Sequence, residues 1–264
     1  MSVVDDRALA RWRETGWLLL RGALDGETIG RTTEAVREVE AWAERAAAGE
    51  GAPGMHHWEM TDDGPALARS EDLIGSHAHL RPLICEGPVL EMATALLGEP
   101  AVLYKEKINH KRPGGAGFAP HQDATAYRFV DHHVSCMVPV DPATSASGCL
   151  SVVSGAHEGL VPTEDGGRIL PSVADGLDWE VAEVEPGDVL WFDSYTPHRS
   201  GTNTSDRPRR ALYLTYNAAS AGDFRDIYYA DKRAEFATAG GTFGDERVRL
   251  SISDDFLGRP VPGR

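Results

Sequence analysis

From Ala101 onward the chain is a succession of short apolar runs. AVLYKEKINHK (101–111), VSCMVPVD (134–141), CLSVVSG (149–155), WEVAEVE (179–185), DVLWFD (188–193) and RRALYLTYN (209–217) are separated by Gly, Pro, Asp and Ser. Runs of this length, rich in β-branched and aromatic residues and punctuated by turn formers, predict the strands of an antiparallel sandwich or barrel.

The first hundred residues read differently. Residues 5–48 are helical in pattern, with a short apolar strand at WLLL (17–20). Ile29, Val36, Val39 and Trp42 recur at near-helical spacing and Gly49 follows as a stop. Residues 49–64, rich in Gly, Pro, His and Asp, read as a loop. Residues 71–97 read as mostly helical with breaks at Pro82 and Pro88. Helices first and strands after predict one domain of 264 residues: a helical layer (1–100), a β core (101–220) and an irregular C-terminal extension (221–264), in which YYADKR (228–233) is the most ordered-looking part.

Composition removes several function classes. A formal net charge of -15 repels polyanions, which argues against nucleic acid or an anionic membrane as partner. It leaves room for a small anion held by a local cluster of basic residues. No apolar run approaches the roughly 18 residues a membrane span needs, and WLLL, flanked by Arg13, Glu14 and Arg21, is neither signal peptide nor anchor. Cys85, Cys136 and Cys149 are odd in number and not at zinc-knuckle spacing; Cys136 and Cys149, in apolar strand-like runs, are expected as buried free thiols, and a cytoplasmic location is expected. Assembly into a homo-oligomer is left open.

The chemistry concentrates in the β half. Alternation on RRALYLTYN places Arg209, Ala211, Tyr213, Thr215 and Asn217 on one face, and Arg210, Leu212, Leu214 and Tyr216 on the other. An inward arginine is costly unless something anionic meets it. Upstream, PHQDATAY (120–127) carries His121 and Asp123, and His198 follows the strand DVLWFD. Two histidines and a carboxylate form the facial ligand set of non-haem Fe(II), which leaves coordination positions open. A His-x-Asp triplet alone is weak. A later histidine just past an apolar strand and an arginine eleven residues beyond it strengthen the signal considerably. On a strand, His121 and Asp123 would share a face.

PHQDATAY, SGCLSVVSGAH (147–157), PGDVLWFDSYTPHRSGTN (186–203) and RRALYLTY (209–216) resemble the phytanoyl-CoA hydroxylase superfamily of Fe(II)/2-oxoglutarate-dependent dioxygenases. The similarity runs from about residue 10, at RWRETGWLLLRGAL, to about residue 235. The blocks KEKINHKRPGGAGFAPHQDATAY, RRALYLTYN and YYADKR are most similar to the branch acting on 2-aminoethylphosphonate and related alkylphosphonates. The resemblance implies a double-stranded β-helix, a cupin-like jelly roll, mainly β with peripheral helices. It implies His121, Asp123 and His198 as Fe(II) ligands, Arg209 as the clamp on 2-oxoglutarate, and Ser200 and Asn109 as further seats for that co-substrate. The implied reaction consumes O2 and 2-oxoglutarate, releases succinate and CO2, and hydroxylates an unactivated C–H bond. Because an aspartate, not a small residue, stands at 123, hydroxylation is expected over halogenation.

For the substrate, Lys105, Lys107, Asn109 and Lys111 share one face of YKEKINHK, so Lys105 and Lys107 are candidates to hold an anion. Solvated rim charges are the alternative. Tyr127, Trp191, Tyr195 and Tyr213 are aromatic candidates for an amine cage, although core packing also accounts for such residues; Trp191 and Phe192 must face opposite ways. The histidines of His56-His57-Trp58 are expected in an exposed loop. His132, His133 and His157 read as structural or surface residues, and His77 and His79 lack partners at metal-ligand spacing. The expected partner is a small molecule: an alkylphosphonate first, then another small zwitterion such as an amino acid, an ectoine-like solute or a betaine. A CoA thioester is disfavoured because no extended basic patch would receive it. A non-catalytic cupin-like binding module would not need Arg209.

Overall fold

The computed structural model describes residues 4–61, 64–127, 129–164 and 166–238. The rest of the expected C-terminal extension, 239–264, lies outside the described residues. The chain begins with α1 (Asp6–Thr15), β1 (Trp17–Leu20) and α2 (Gly26–Ala47). Both helices carry an aspartate N-cap: Asp5 accepts from the amide of Ala8 and Asp25 from that of Thr28, each at 2.8 Å. Next come β2 (Met55–Thr61), β3 (Gly64–Glu71), α3 (Leu80–Cys85) and α4 (Gly87–Leu97). The β half holds β4 (Ala101–Lys111), β5 (Phe118–His121), β6 (Val134–Pro139), β7 (Leu150–Val153), α5 (Pro171–Ala174), β8 (Trp179–Ala182), β9 (Val189–Asp193), β10 (His198–Ser200) and β11 (Arg209–Ala218). Helix α6 (Arg225–Thr238) follows and takes up YYADKR.

The strands form two antiparallel sheets. The larger runs β1-β9-β6-β11-β4-β3-β2 and the smaller β5-β10-β7-β8. This is the expected jelly roll, and β11 shows how its layers arise. Leu212, Leu214 and Tyr216 pack with Cys136, Trp191 and helix residues such as Val36, Val39 and Met92. Ala211 turns the other way, into the layer between the sheets with Met137, Phe192, Leu150 and Val152. Period-2 alternation therefore splits one strand between two cores. Cys136 and Cys149 are buried free thiols, as expected. Among the described residues, no helix is long and apolar enough to cross a membrane.

Three readings need correction. Residues 49–64 are not simply a loop: β2 pairs with β3, and β3 joins the sheet through Arg69↔Asn109, Ser70↔Ile108 and Glu71↔Lys107. The first hundred residues are therefore more than a helical layer, since β1, β2 and β3 belong to the large sheet. MHHWEMT lacks apolar alternation; His56 and His57 are buried against partners across the pair. His56 Nδ1 lies 3.0 Å from Ser70 Oγ and His57 Nε2 lies 2.9 Å from Glu71 Oε1, so these histidines are buried, not exposed. Finally, the helical stretch starts only at Leu80. Pro82 and Pro88 sit in the first turns of α3 and α4, where a missing N–H is harmless.

Candidate metal centre and its cavity

Strands β5 and β10 lie side by side at the edge of the small sheet, with His198 and His121 as direct register partners. Their rings pack at a centroid distance of 4.2 Å. Each Nδ1 is engaged by a backbone carbonyl, His121 to Ala119 at 2.6 Å and His198 to Thr196 at 3.0 Å. Those bonds fix both tautomers and leave each Nε2 lone pair for a metal. Burial lowers both imidazole pKa values, that of His121 to about 3 with His198 adding to the effect. Both rings are neutral ligands.

Asp123 does not share a strand with His121. β5 ends at His121, and Asp123 opens a 3-10 turn, Asp123–Thr125. The turn is pinned by the amide of Ala124, which donates to the carbonyl of Ser194 at 2.8 Å. The carboxylate reaches the same point as the rings, with Oδ1 at 3.8 Å from His121 Nε2 and 3.7 Å from His198 Nε2. Its other oxygen accepts from Ser135 Oγ at 3.0 Å, and Ser135 in turn bonds Thr215 at 2.9 Å. Burial opposes the negative charge, but His198, Lys105 and His121 outweigh it and hold the carboxyl well below the usual range. Gln122 faces away from the cluster. Its amide donates to the carbonyls of Gly159 and Tyr195 and accepts from the amide of Val161, locking the following loop against the site.

Among the described residues these three form the one His/Cys/Asp/Glu group arranged to hold an ion, with ligand atoms within 4.8 Å of one another. The donor set fits a divalent metal of the iron type: two imidazole nitrogens and one monodentate carboxylate, on one side of an open cavity.

That cavity, about 570 Å³ including its mouth, brings together most of the expected residues: Lys105, Lys107, Asn109, Tyr127 and Tyr213 join the triad in its wall. Arg209 lies behind Tyr213, fully buried, with Nη1 donating to the Tyr213 hydroxyl at 3.2 Å. Its Nε and Nη2 have no hydrogen-bond partner among the described residues. A buried guanidinium left in this state is destabilised by about 3–5 kcal/mol relative to a paired one, so the position is built for an anion. Lys111, its register partner on β4, donates to Ser200 Oγ at 2.9 Å and to the carbonyls of Gly201 (2.7 Å) and Gly148 (3.2 Å). Ser200 is thus buried behind the wall, where it also accepts from the amide of Phe118. The glycine in SGCL has a steric reason: a Cβ on Gly148 would stand 2.3 Å from the Gly201 carbonyl, and its φ is +70°.

Two aromatic candidates drop out of the wall. Trp191 packs against Tyr216 in the helix-side core, whereas Phe192 lines the cavity and packs on His198. Tyr195 is half-buried, and its hydroxyl donates to the carbonyl of Asp131 at 3.3 Å. His133 is fully buried against Tyr127, with burial pushing its pKa to about 3, and His132 bonds Asp193 at 2.7 Å. Both are structural.

Arg69 was not foreseen. It reaches the cavity from β3, with Phe118 and Leu150 supplying apolar wall. Its strand is recognisable only through its pairing with β4. The stretch after Ser220, expected to be irregular, instead forms α6 over Arg225–Thr238, which approaches the cavity through Tyr228. Lys105 Nζ lies 3.9 Å over the Tyr127 ring and 5.8 Å from that of Tyr228. The Tyr229 hydroxyl caps the free edge of β4, donating to the Glu106 carbonyl at 2.7 Å and accepting from the Glu106 amide at 3.1 Å.

An antiparallel jelly roll with a buried His–Asp–His cluster in an open cavity is the architecture of a mononuclear non-haem oxygenase. The family model for phytanoyl-CoA dioxygenase matches residues 12–211, and the chain belongs to that family. It is 44% identical over 261 residues to the methylphosphonate hydroxylase of Gimesia maris, covering 98% of each chain. It is 38% identical over 268 residues to the 2-aminoethylphosphonate dioxygenase of an uncultured bacterium, covering 99% of this chain and 100% of that one. Among solved structures, EctD from S. alaskensis with bound Fe superposes with a TM-score of 0.69 at 20% identity, over 83% of this chain and 79% of that one, a likeness of fold.

Proposed function

We propose that the protein is an Fe(II)- and 2-oxoglutarate-dependent hydroxylase of a small alkylphosphonate, acting on the carbon next to phosphorus. The observation that carries this reading is the charge of the cavity wall. In a chain of net charge -15, the wall beside the His–Asp–His cluster presents Arg69, Lys105 and Lys107 against one carboxylate, Asp123, among the described residues. An anionic substrate is what such a wall selects. The two phosphonate oxygenases that share nearly the whole chain support phosphonate as that anion.

His121 and His198 would hold the iron through Nε2, and Asp123 through the carboxylate that Ser135 orients. Ferrous iron held there would supply the activation of O2, with 2-oxoglutarate as the two-electron reductant. One oxygen atom enters the new C–OH group and the other enters succinate, with loss of CO2. Arg209 offers its free Nε and Nη2 as a bidentate fork for the distal carboxylate of 2-oxoglutarate. Asn109, whose Oδ1 lacks a hydrogen-bond partner among the described residues, lines the wall diagonally across the β4–β11 pair from Arg209. Phe192 and Leu150 keep the cluster's flank dry.

The test is succinate release by the Fe(II)-loaded protein with 2-oxoglutarate and ascorbate, screened against alkylphosphonates, amino acids and betaines. Phosphorus NMR follows the product. Stimulation by a phosphonate, matched mole for mole by a 1-hydroxyalkylphosphonate, is expected. Stimulation only by amino acids or betaines would overturn the reading.

A further inference from the structure

The cations of the cavity are not equivalent. Lys105 lies against the Tyr127 ring face at 3.9 Å. Arg209 and Lys111 occupy the far end of the β4–β11 pair, four residues along β4 from Lys107. Between these ends stand Arg69 and Lys107. Arg69 is the register partner of Asn109 on the adjoining strand, so Arg69 and Lys107 are diagonal neighbours, a spacing that long side chains bridge. Neither side chain makes a hydrogen bond or ion pair among the described residues, and both reach the cavity that holds the His–Asp–His cluster.

The acid opposite Lys107 on the adjoining strand does not neutralise them. Glu71 is the register partner of Lys107, yet it is fully buried and committed elsewhere, with Oε1 at 2.9 Å from His57 Nε2 and Oε2 at 3.2 Å from Lys232 Nζ. β2 and helix α6 thus occupy a carboxylate that would otherwise close this pair. Two adjacent cations kept unpaired beside a metal cluster call for a ligand with two negative charges on one small head. They do not call for a zwitterion, whose ammonium end would meet Arg69, Lys105 and Lys107 with no free carboxylate in the described wall. The tyrosine ring faces of the wall already carry lysines: Lys105 on Tyr127, and Lys107 at 5.5 Å on Tyr213.

Resting on the phosphonate reading above, we infer that Arg69 and Lys107 form the seat of the substrate's phosphonate dianion, and that this wall selects alkylphosphonates without an amino group over 2-aminoethylphosphonate. Arg69 supplies the planar fork that matches a tetrahedral oxyanion, and Lys107 a point charge beside it. The seat orients the head group so that the adjacent carbon faces the metal cluster. The two residues bind and position; they transfer no proton.

Ethylphosphonate and 2-aminoethylphosphonate differ by the amine alone, so the experiment compares kcat/KM and calorimetric affinity for both in the wild type and in Arg69→Gln, Arg69→Lys and Lys107→Met. Wild-type kcat/KM for ethylphosphonate should exceed that for 2-aminoethylphosphonate at least about tenfold, the worth of one uncompensated charge contact. Arg69→Gln and Lys107→Met should each raise KM for ethylphosphonate about 10- to 100-fold, the range for losing a charged hydrogen bond. KM for 2-oxoglutarate should move at least tenfold less, and Arg69→Lys should recover part of the loss. Circular dichroism verifies folding of each variant, and the two sites are independent probes of one seat. Preference for 2-aminoethylphosphonate, or equal rises in both KM values, would overturn the inference while leaving phosphonate hydroxylation standing. Failure of every phosphonate to stimulate succinate release would instead remove the reading on which it rests.

Discussion

Arg209 and Arg210 are consecutive residues on one strand, and they meet opposite electrostatics. Arg210 points toward the helical layer, where Asp141 grips it at 2.8 Å through both Nε and Nη2, and Glu40 adds a contact at 3.2 Å. The Asp141 hydrogen bonds hold its guanidinium firmly charged. Arg209 points between the sheets, fully buried, with two of its nitrogens unpartnered among the described residues. The contrast extends across the sheet. Arg225 on the α6 side has Glu106 and Asp72, and Lys232 has Glu71, whereas the side chains of Arg69 and Lys107 in the cavity wall form no ion pair among the described residues. Ion pairs completed on one side stabilise the fold. Cations left incomplete on the other side are a stability cost that a ligand relieves, which is how binding affinity is stored in a folded site.

The comparison can be broken at several points. The largest effect belongs to the cluster itself: His121→Ala or Asp123→Ala should lower Fe(II)-dependent succinate formation by more than about a thousandfold and abolish Fe(II) binding in an anaerobic titration. Retained iron binding would end the assignment. Next come the two arginines. Arg209→Met should raise KM for 2-oxoglutarate about a hundredfold, the worth of a bidentate charged contact, without lowering the melting temperature of the ligand-free protein. Arg210→Met should do the reverse, costing about 2–3 kcal/mol of stability, a figure discounted for partial exposure of the pair, with little change in KM. If both variants lose stability equally, the division of the sheet into a structural and a binding side is wrong.

Lys232→Met sharpens the same division from α6. It leaves Glu71 without its ammonium and free to turn to Lys107, so stability should fall and phosphonate affinity should weaken about three- to tenfold, by the loss of one charge contact. The smallest effect is pH dependence. Burial, with Arg69 and Lys232 nearby, pushes Lys107 from its usual 10.5 down to about 8, against the pull of Asp123 and Glu71. Below pH 8 the seat carries both charges; above it Lys107 is neutral, so KM for the phosphonate should rise as pH passes through about 8. Folding stability should move the opposite way. Between about 8 and 10.5 the unfolded lysine still binds a proton that the folded one has released, so stability rises with pH. Parallel chemical-denaturation and KM profiles from pH 7 to 10 check both signs, and Lys107→Met should flatten each.

What could be read in the chain before its folding was known is instructive. His121, Asp123, His198 and Arg209 were legible because the strand ends that carry them stand beside local markers: an apolar run, a proline or a turn. The reason offered for His121 and Asp123, a shared strand face, was nevertheless not the one the fold uses, since a 3-10 turn brings Asp123 round. Lys105, Lys107, Asn109 and Tyr213 reached the cavity by simple alternation. Tyr195 did not, because the segment between β9 and β10 turns its ring toward Asp131. Arg69 was invisible: GPALARSE carries no apolar alternation, and its strand exists because β4 offers it an edge.

The sequence by itself pointed to the His–Asp–His set and Arg209, through the resemblance of its motifs, and to the layered β architecture, through the short-range periodicity of its apolar runs. Only the tertiary structure decided which cations stay unpaired. That depends on which carboxylates distant elements bring or withhold, as α6 and β2 do when Lys232 and His57 take Glu71 from the cavity. Charge pairing in a folded protein is a property of neighbours in space, and no spacing along the chain encodes it.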